Sequence, residues 1–263
     1  MILALRRVDN SAMNTLPVNK WIARLPRGIR PRVRLFCFPY AGGGTAVYRR
    51  WTELLPPEIE ICLVQLPGRE QRIHERPMTD TVDIAVLIAD AMTHYCDQPF
   101  VLFGHSMGAG IAYETALALI RRDRVPLCVM PSARRAPHLP SPNRARHLLP
   151  DDQFVDELKR LNGTPSGVLD SPELMELMLP ILRADFQLAD LYVSERPFKI
   201  PCPVIAFGGE DDVYVPCSEL EAWREVSALE FNLRMLPGDH FFVNSQQREL
   251  TGLIAHEISR LQR

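Results

Sequence analysis

The chain has 263 residues, enough for one large α/β domain or two small ones, and its 46% hydrophobic and 24% charged residues are ordinary for a soluble globular enzyme. Thirty Lys and Arg against 32 Asp and Glu leave a formal charge of −2, so no global basic field recruits nucleic acid. No apolar run approaches the about 18 residues of a membrane span, and MILALRRVDN has the wrong charge order for a signal peptide, so a cytoplasmic protein with no membrane partner is expected.

Residues 1–19 show no sustained period and are expected to form a flexible leader, with Met13 a candidate start; residues 20–263 are expected to form a single domain. VRLFCF (Val33–Phe38) predicts the first strand, followed by a glycine turn and a helix near Val47–Leu54. ICLVQL (Ile61–Leu66) predicts a second strand and TVDIAVLIADAMTHY a helix. FVLF (Phe100–Phe103) and PLCVM (Pro126–Met130) predict the next two strands. PVIAF (Pro203–Phe207) and FNLRML (Phe231–Leu236) predict two more, separated by a helix near Glu219–Val226 and followed by one over Gln246–Leu261. Continuous apolar strands alternating with helices predict a mostly parallel, doubly wound sheet covered on both faces. From about Asp151 to Tyr192 only helical pattern is present, which predicts a helical lid over about 140–196, inserted between strands. Cys37, Cys62, Cys96, Cys128, Cys202 and Cys217 are scattered without a Cys-x-x-Cys pair or His partners at ligand spacing, so reduced cysteines and no metal site are expected.

Gly104, His105, Ser106, Met107 and Gly108 form a Gly-x-Ser-x-Gly turn between the FVLF strand and a helix rich in Ala, Ile and Leu. Such a nucleophile elbow presents the serine at its apex, beside the N–H groups and positive dipole end of the helix. A carbonyl becoming an oxyanion would be stabilised there, so the pattern predicts acyl transfer. The serine needs a base, and the base an orienting acid, in the order Ser, Asp or Glu, His. His240 in LPGDHFFV follows the FNLRML strand and fits the base; GEDDVYVP, after PVIAF, supplies the acid. Counting Gly-x-x-Asp-x-x-Val-Pro from Gly209 selects Asp212, and counting from Gly208 selects Asp211; Asp212 is favoured because Val215 and Pro216 complete the pattern. The oxyanion-hole amides are expected from Met107, which follows the serine, and from Ala41 in FPYAGGG. That glycine loop lacks the Lys-Ser/Thr ending of a nucleotide-binding P-loop. His105 is expected to pack within the elbow, and some of Leu174, Met175, Leu177, Met178 and Leu179 to line an acyl channel.

RLFCFPYAGGG, VQLPGRE, FGHSMGAGIAYE, RRAPHLP, LNGTPSGVLDSPELMELMLPILRADF, GGEDDVYV and LPGDHFFV together make the chain resemble a type II thioesterase, of the kind that accompanies polyketide synthases and nonribosomal peptide synthetases, in the α/β-hydrolase superfamily. The resemblance runs from about Arg34 to the C-terminal helix, and LPGRE and LPILRADF are its most family-specific segments. It departs from the family at Val213, where proline commonly follows the acid. The resemblance implies an α/β-hydrolase fold and hydrolysis of acyl groups from the phosphopantetheine arm of acyl- or peptidyl-carrier proteins, removing stalled or aberrant units from a synthase. No cofactor and a monomeric state are expected with it. Two other enzyme readings stay open, a medium-chain fatty acyl-carrier-protein thioesterase and a general serine carboxylesterase, as does a catalytically idle binding partner. Arg69 and Glu70 are expected to be a structural salt-bridging pair. Arg134, Arg135, Arg144 and Arg146 form either a basic rim that steers an acidic carrier protein or an ordinary salt-bridged surface.

Overall fold

A computed structural model describes residues 19–263 except 144, 165 and 195–197; the proposed leader, save Asn19, lies outside the described residues. The strands are β1 (Ile22–Leu25), β2 (Val33–Phe38), β3 (Ile59–Val64), β4 (Phe100–His105), β5 (Cys128–Ser132), β6 (Val204–Gly209) and β7 (Phe231–Leu236). They form one sheet in the order β1-β3-β2-β4-β5-β6-β7. Only β1 is antiparallel, paired to β3. Beta-2 through β6 are buried along their whole length, which explains their mostly apolar runs; the exceptions Arg34 of β2 and Glu60 of β3 are buried as a pair (2.8 Å). The fold is that of an α/β hydrolase.

The helices are α1 (Thr81–Met92), α2 (Met107–Ile120), α3 (Asp151–Leu161), α4 (Ser166–Leu169), α5 (Pro172–Leu191), α6 (Cys217–Glu221), α7 (Phe242–Ser245) and α8 (Gln247–Leu261). Helices α1 and α2 pack on one face of the sheet with Trp223, and α8 packs on the other with Tyr48 and Trp51. Every residue of α2 from Met107 to Leu119 is buried, so this helix has no polar face to show. Three expectations change. The helix near Val47–Leu54 is a 3-10 helix over Thr45–Glu53. Edge strand β1 is too short for its alternation to stand out. Asn19 is anchored, its side chain donating to the Ala91 carbonyl (2.9 Å) and accepting from the Trp21 amide (2.9 Å).

Alpha-3, α4 and α5 fall between β5 and β6, within the segment expected to form a lid. They share a small core of Phe154, Leu158, Met175, Leu182 and Phe186. Ion pairs supplement it: Arg146 grips the buried Asp190 (2.5 and 2.9 Å), and Arg183 bonds Asp151 (2.5 Å).

The elbow sits where β4 enters α2, and its two glycines are there for lack of space. A Cβ at Gly104 would lie 2.2 Å from the Gly108 carbonyl oxygen, and one at Gly108 would lie 2.3 Å from that of Phe38. Both obstacles are backbone, so neither can swing aside. Gly108→Ala is expected to lose more than ~3 kcal/mol of stability or fail to fold. Gly252, on the exposed face of α8 with open space around it, is expected to gain about 0.5–1 kcal/mol as Gly252→Ala. Urea unfolding of both variants checks the two signs.

Candidate active site

The serine, histidine and acid picked out from the sequence converge at the carboxyl edge of the sheet. Ser106 has φ +52° and ψ −117°, a strained conformation that lifts its side chain out of the turn. Its Oγ lies 3.0 Å from His240 Nε2, and His240 Nδ1 lies 2.7 Å from Asp212 Oδ2. A carboxylate only accepts, so Nδ1 carries the proton and Nε2 faces the serine hydroxyl as an acceptor. The other oxygen of Asp212 accepts from the amides of Tyr214 (2.8 Å) and Val215 (3.2 Å), which holds the carboxylate edge-on to the imidazole. Asp212 is buried and bonded to His240, whereas the neighbouring Asp211 is exposed.

His105 does more than pack. It is fully buried, with Nε2 2.9 Å from the backbone carbonyl of His240 and Nδ1 2.9 Å from Ser132 Oγ. The carbonyl must accept, so Nε2–H donates to it and Nδ1 accepts the Ser132 hydroxyl. The ring thus links the end of β5 to the loop that carries His240.

Ala41 and Ser106 line one cavity with His240. Met107 opens α2, and its amide is one of the first four, which have no acceptor within the helix. The apolar wall of the cavity comes from Leu158, Leu161, Leu182 and Phe186. The stretch Leu174–Leu179 contributes none of it: Leu174 and Leu177 are exposed, and Met175 is buried in the core of the insertion. The expected channel residues were one or two turns away, because an all-apolar stretch gives no phase from which to choose the inward face.

Arg69 and Glu70 are structural but do not pair with each other. Arg69 forms a bidentate pair with the buried Asp185 of α5 (2.7 and 2.7 Å). Glu70 accepts from the Thr45 amide (3.0 Å) and hydroxyl (2.9 Å), capping the 3-10 helix beyond the glycine loop. Sequence reasoning missed Asp185; its signal was an acid set among apolar residues in LRADF. The basic rim is largely spent internally. Arg134 donates to the Ala189 carbonyl (2.7 Å), Arg135 to those of Pro140 (3.0 Å) and Tyr214 (3.1 Å), and Arg146 to Asp190. Arg144 lies outside the described residues. Cys37, Cys62, Cys128 and Cys202 are buried, and all six cysteines are free. Among the described residues no group of three His, Cys, Asp or Glu side chains is placed to hold a metal, and no helix is long and apolar enough to cross a membrane.

Burial, reinforced by the neighbouring His240, holds His105 well below the ordinary histidine value of 6.5. Folding therefore costs nothing extra above that value, where the ring is neutral in both states. Below it the unfolded chain takes up a proton that the folded one refuses, so stability falls by up to about 1.4 kcal/mol per pH unit. The acid limb of a stability–pH profile is expected to be shallower in His105→Gln, and an unchanged limb would contradict this.

With this geometry in place, comparison with known proteins agrees across nearly the whole chain. The thioesterase domain family matches residues 33–258. The gramicidin S biosynthesis protein GrsT of Aneurinibacillus migulanus is 41% identical over 242 residues, covering 92% of this chain and 94% of that protein. The solved structure of BorB, described as the type II thioesterase from the borrelidin biosynthetic cluster, superposes with a TM-score of 0.82 at 34% identity, covering 90% of this chain and 96% of that one. RedJ, a thioesterase from the prodiginine pathway of Streptomyces coelicolor, gives a TM-score of 0.81 at 36% identity, covering 95% and 99%. On the family match and on these relatives, this chain belongs to the thioesterase domain family.

Proposed function

We propose that this protein is a serine thioesterase that removes stalled or aberrant acyl groups from the phosphopantetheine arm of carrier proteins in polyketide or nonribosomal peptide synthesis. The observation that carries the chemistry is the unbroken relay from Ser106 Oγ through His240 to Asp212, opening into a cavity with an apolar wall. Ser106 Oγ attacks the thioester carbonyl carbon while His240 Nε2 takes its proton. The developing oxyanion is held by the amides of Met107 and Ala41. Collapse of the tetrahedral intermediate breaks the C–S bond, and the thiolate leaves with the proton from His240. Water then attacks the acyl-serine with His240 again as base, releasing the free acid. Asp212 keeps the imidazole in the required tautomer and stabilises the imidazolium formed in each half.

The carrier-protein substrate is supported by the company the chain keeps, relatives described by gramicidin S and borrelidin biosynthesis. Leu158, Leu161, Leu182 and Phe186 suit an acyl chain, and the insertion that supplies them shields the acyl-enzyme from bulk water.

Ser106→Ala and His240→Ala are each expected to lower thioester hydrolysis by at least ~10³-fold with the fold intact. Asp212→Asn is expected to retain more activity than the serine variant, and Asp211→Asn to be nearly normal; the reverse order would reassign the acid. Rates on an acyl-carrier-protein thioester, an acyl-CoA and a p-nitrophenyl ester test the substrate. Preference for the carrier-bound thioester is expected, and a preference for the simple ester would favour a carboxylesterase.

A further inference from the structure

The glycine loop after β2 is shaped from the lid side. The Gly43 amide donates to the Tyr40 carbonyl (2.9 Å), closing a four-residue turn with Ala41 and Gly42 at its centre. Gly42 has φ +76° and Ala41 is not in the left-handed region, so the turn is type II. A type II turn differs from the commoner type I by a flip of its central peptide, here the Ala41–Gly42 unit. Gly42 at the third position already favours type II, and something outside the turn holds its N–H in place.

That something is a single carboxylate. Asp185 Oδ2 accepts the Gly42 N–H at 2.7 Å. One turn earlier on α5, Leu182 approaches so closely that a Cβ on Gly42 would lie 2.7 Å from its Cδ2. Asp185 is itself clamped by both terminal nitrogens of Arg69, and Arg69 Nη1 also donates to the Gly43 carbonyl (3.0 Å). Both members of the pair are buried. The two groups therefore hold the turn at successive points, the Gly42 N–H from α5 and the Gly43 C=O from the LPGRE loop. Anchored in this way at residues 42 and 43, the turn holds their neighbour Ala41 where it lines the cavity beside Ser106.

We propose that Asp185 is a positioning residue for the oxyanion site, fixing the turn that presents the Ala41 amide, so that the site is complete only when α5 is docked. The inference rests on the serine-thioesterase reading above. The catalytic donor and the inserted helix become one unit: movement of α5 away from the body would take with it the acceptor that keeps the turn type II.

The test compares wild type, Asp185→Ala, Ser106→Ala and Glu257→Gln. Glu257 is a fully buried carboxylate on α8, paired with Arg234 and Arg260 far from the cavity, and serves as the control for loss of a buried ion pair. The substrate is hexanoyl-N-acetylcysteamine, and the oxyanion probe is hexylboronic acid, whose serine adduct places a boron-bound oxygen where the oxyanion would lie. Asp185→Ala, which removes the acceptor altogether, is expected to lower kcat by roughly 10²-fold with KM within about threefold of wild type, and to weaken hexylboronic acid by a similar factor. Glu257→Gln is expected to lower the melting temperature with kcat unchanged. If Asp185→Ala does not fold, Gly42→Ala, which strains the same turn against Leu182, is expected to give the same split between kcat and KM. Retained kcat and retained boronic-acid affinity in the folded variant would overturn the inference. Retained hydrolysis by Ser106→Ala would instead overturn the serine reading beneath it, so the two failures are distinguishable.

Discussion

Where β4 runs into α2, the elbow is so tight that a side chain at Gly104 would meet the backbone of α2 and one at Gly108 the end of β2. Much of the site follows from this contact. It brings the first turn of α2 against Phe38 and Pro39, so that the loop leaving β2 lies beside Ser106. It also holds Ser106 in a conformation that costs on the order of 1–3 kcal/mol and persists only because surrounding packing over-determines it. That packing is extensive: β4 is central in the sheet, α2 is buried all round, and the Ser106 amide is tied to the Ser132 carbonyl (2.8 Å).

The residue before the serine shows how a buried polar group can organise a loop. His105 reaches across to the His240 backbone and to Ser132, and burial keeps its ring neutral. A neutral imidazole has one donor and one acceptor, and here each meets one partner of the opposite kind. The position of His240 is thus set twice, by Asp212 at its ring and by His105 at its carbonyl.

The inserted helices are attached differently from the rest of the fold. The sheet and its covering helices bury broad apolar faces, which tolerate small shifts. The insertion joins that core through Leu188 and Ala189, has a small core of its own, and adds polar contacts that do not: Arg69 to Asp185, Arg146 to Asp190, and the Tyr214 hydroxyl to the Arg160 carbonyl (3.1 Å). Buried ion pairs add little net stability compared with apolar packing, but they demand one geometry. An insertion held this way has a defined closed position.

The amino-acid sequence by itself determined the alternation of strands and helices, the elbow, and the serine, histidine and acidic loop. These are local: a strand-like apolar run, a glycine pair or a loop after a strand leaves its mark within a few consecutive residues. Even β1 was missed only because four residues are too few to show a period. What the tertiary structure decided were the pairings across distance. Asp211 and Asp212 are neighbours in sequence, and only the turn after β6 decides which of them faces His240. The apolar stretch from Leu174 to Leu179 has no phase of its own, so the docking of α5 alone decides that Leu182 and Phe186 face the cavity. Arg69 and Asp185 are 116 residues apart, and nothing near either one announces the other. Their meeting depends on how α5 lies over the glycine loop, a constraint that exists only once the sheet, the loop and the insertion are assembled together.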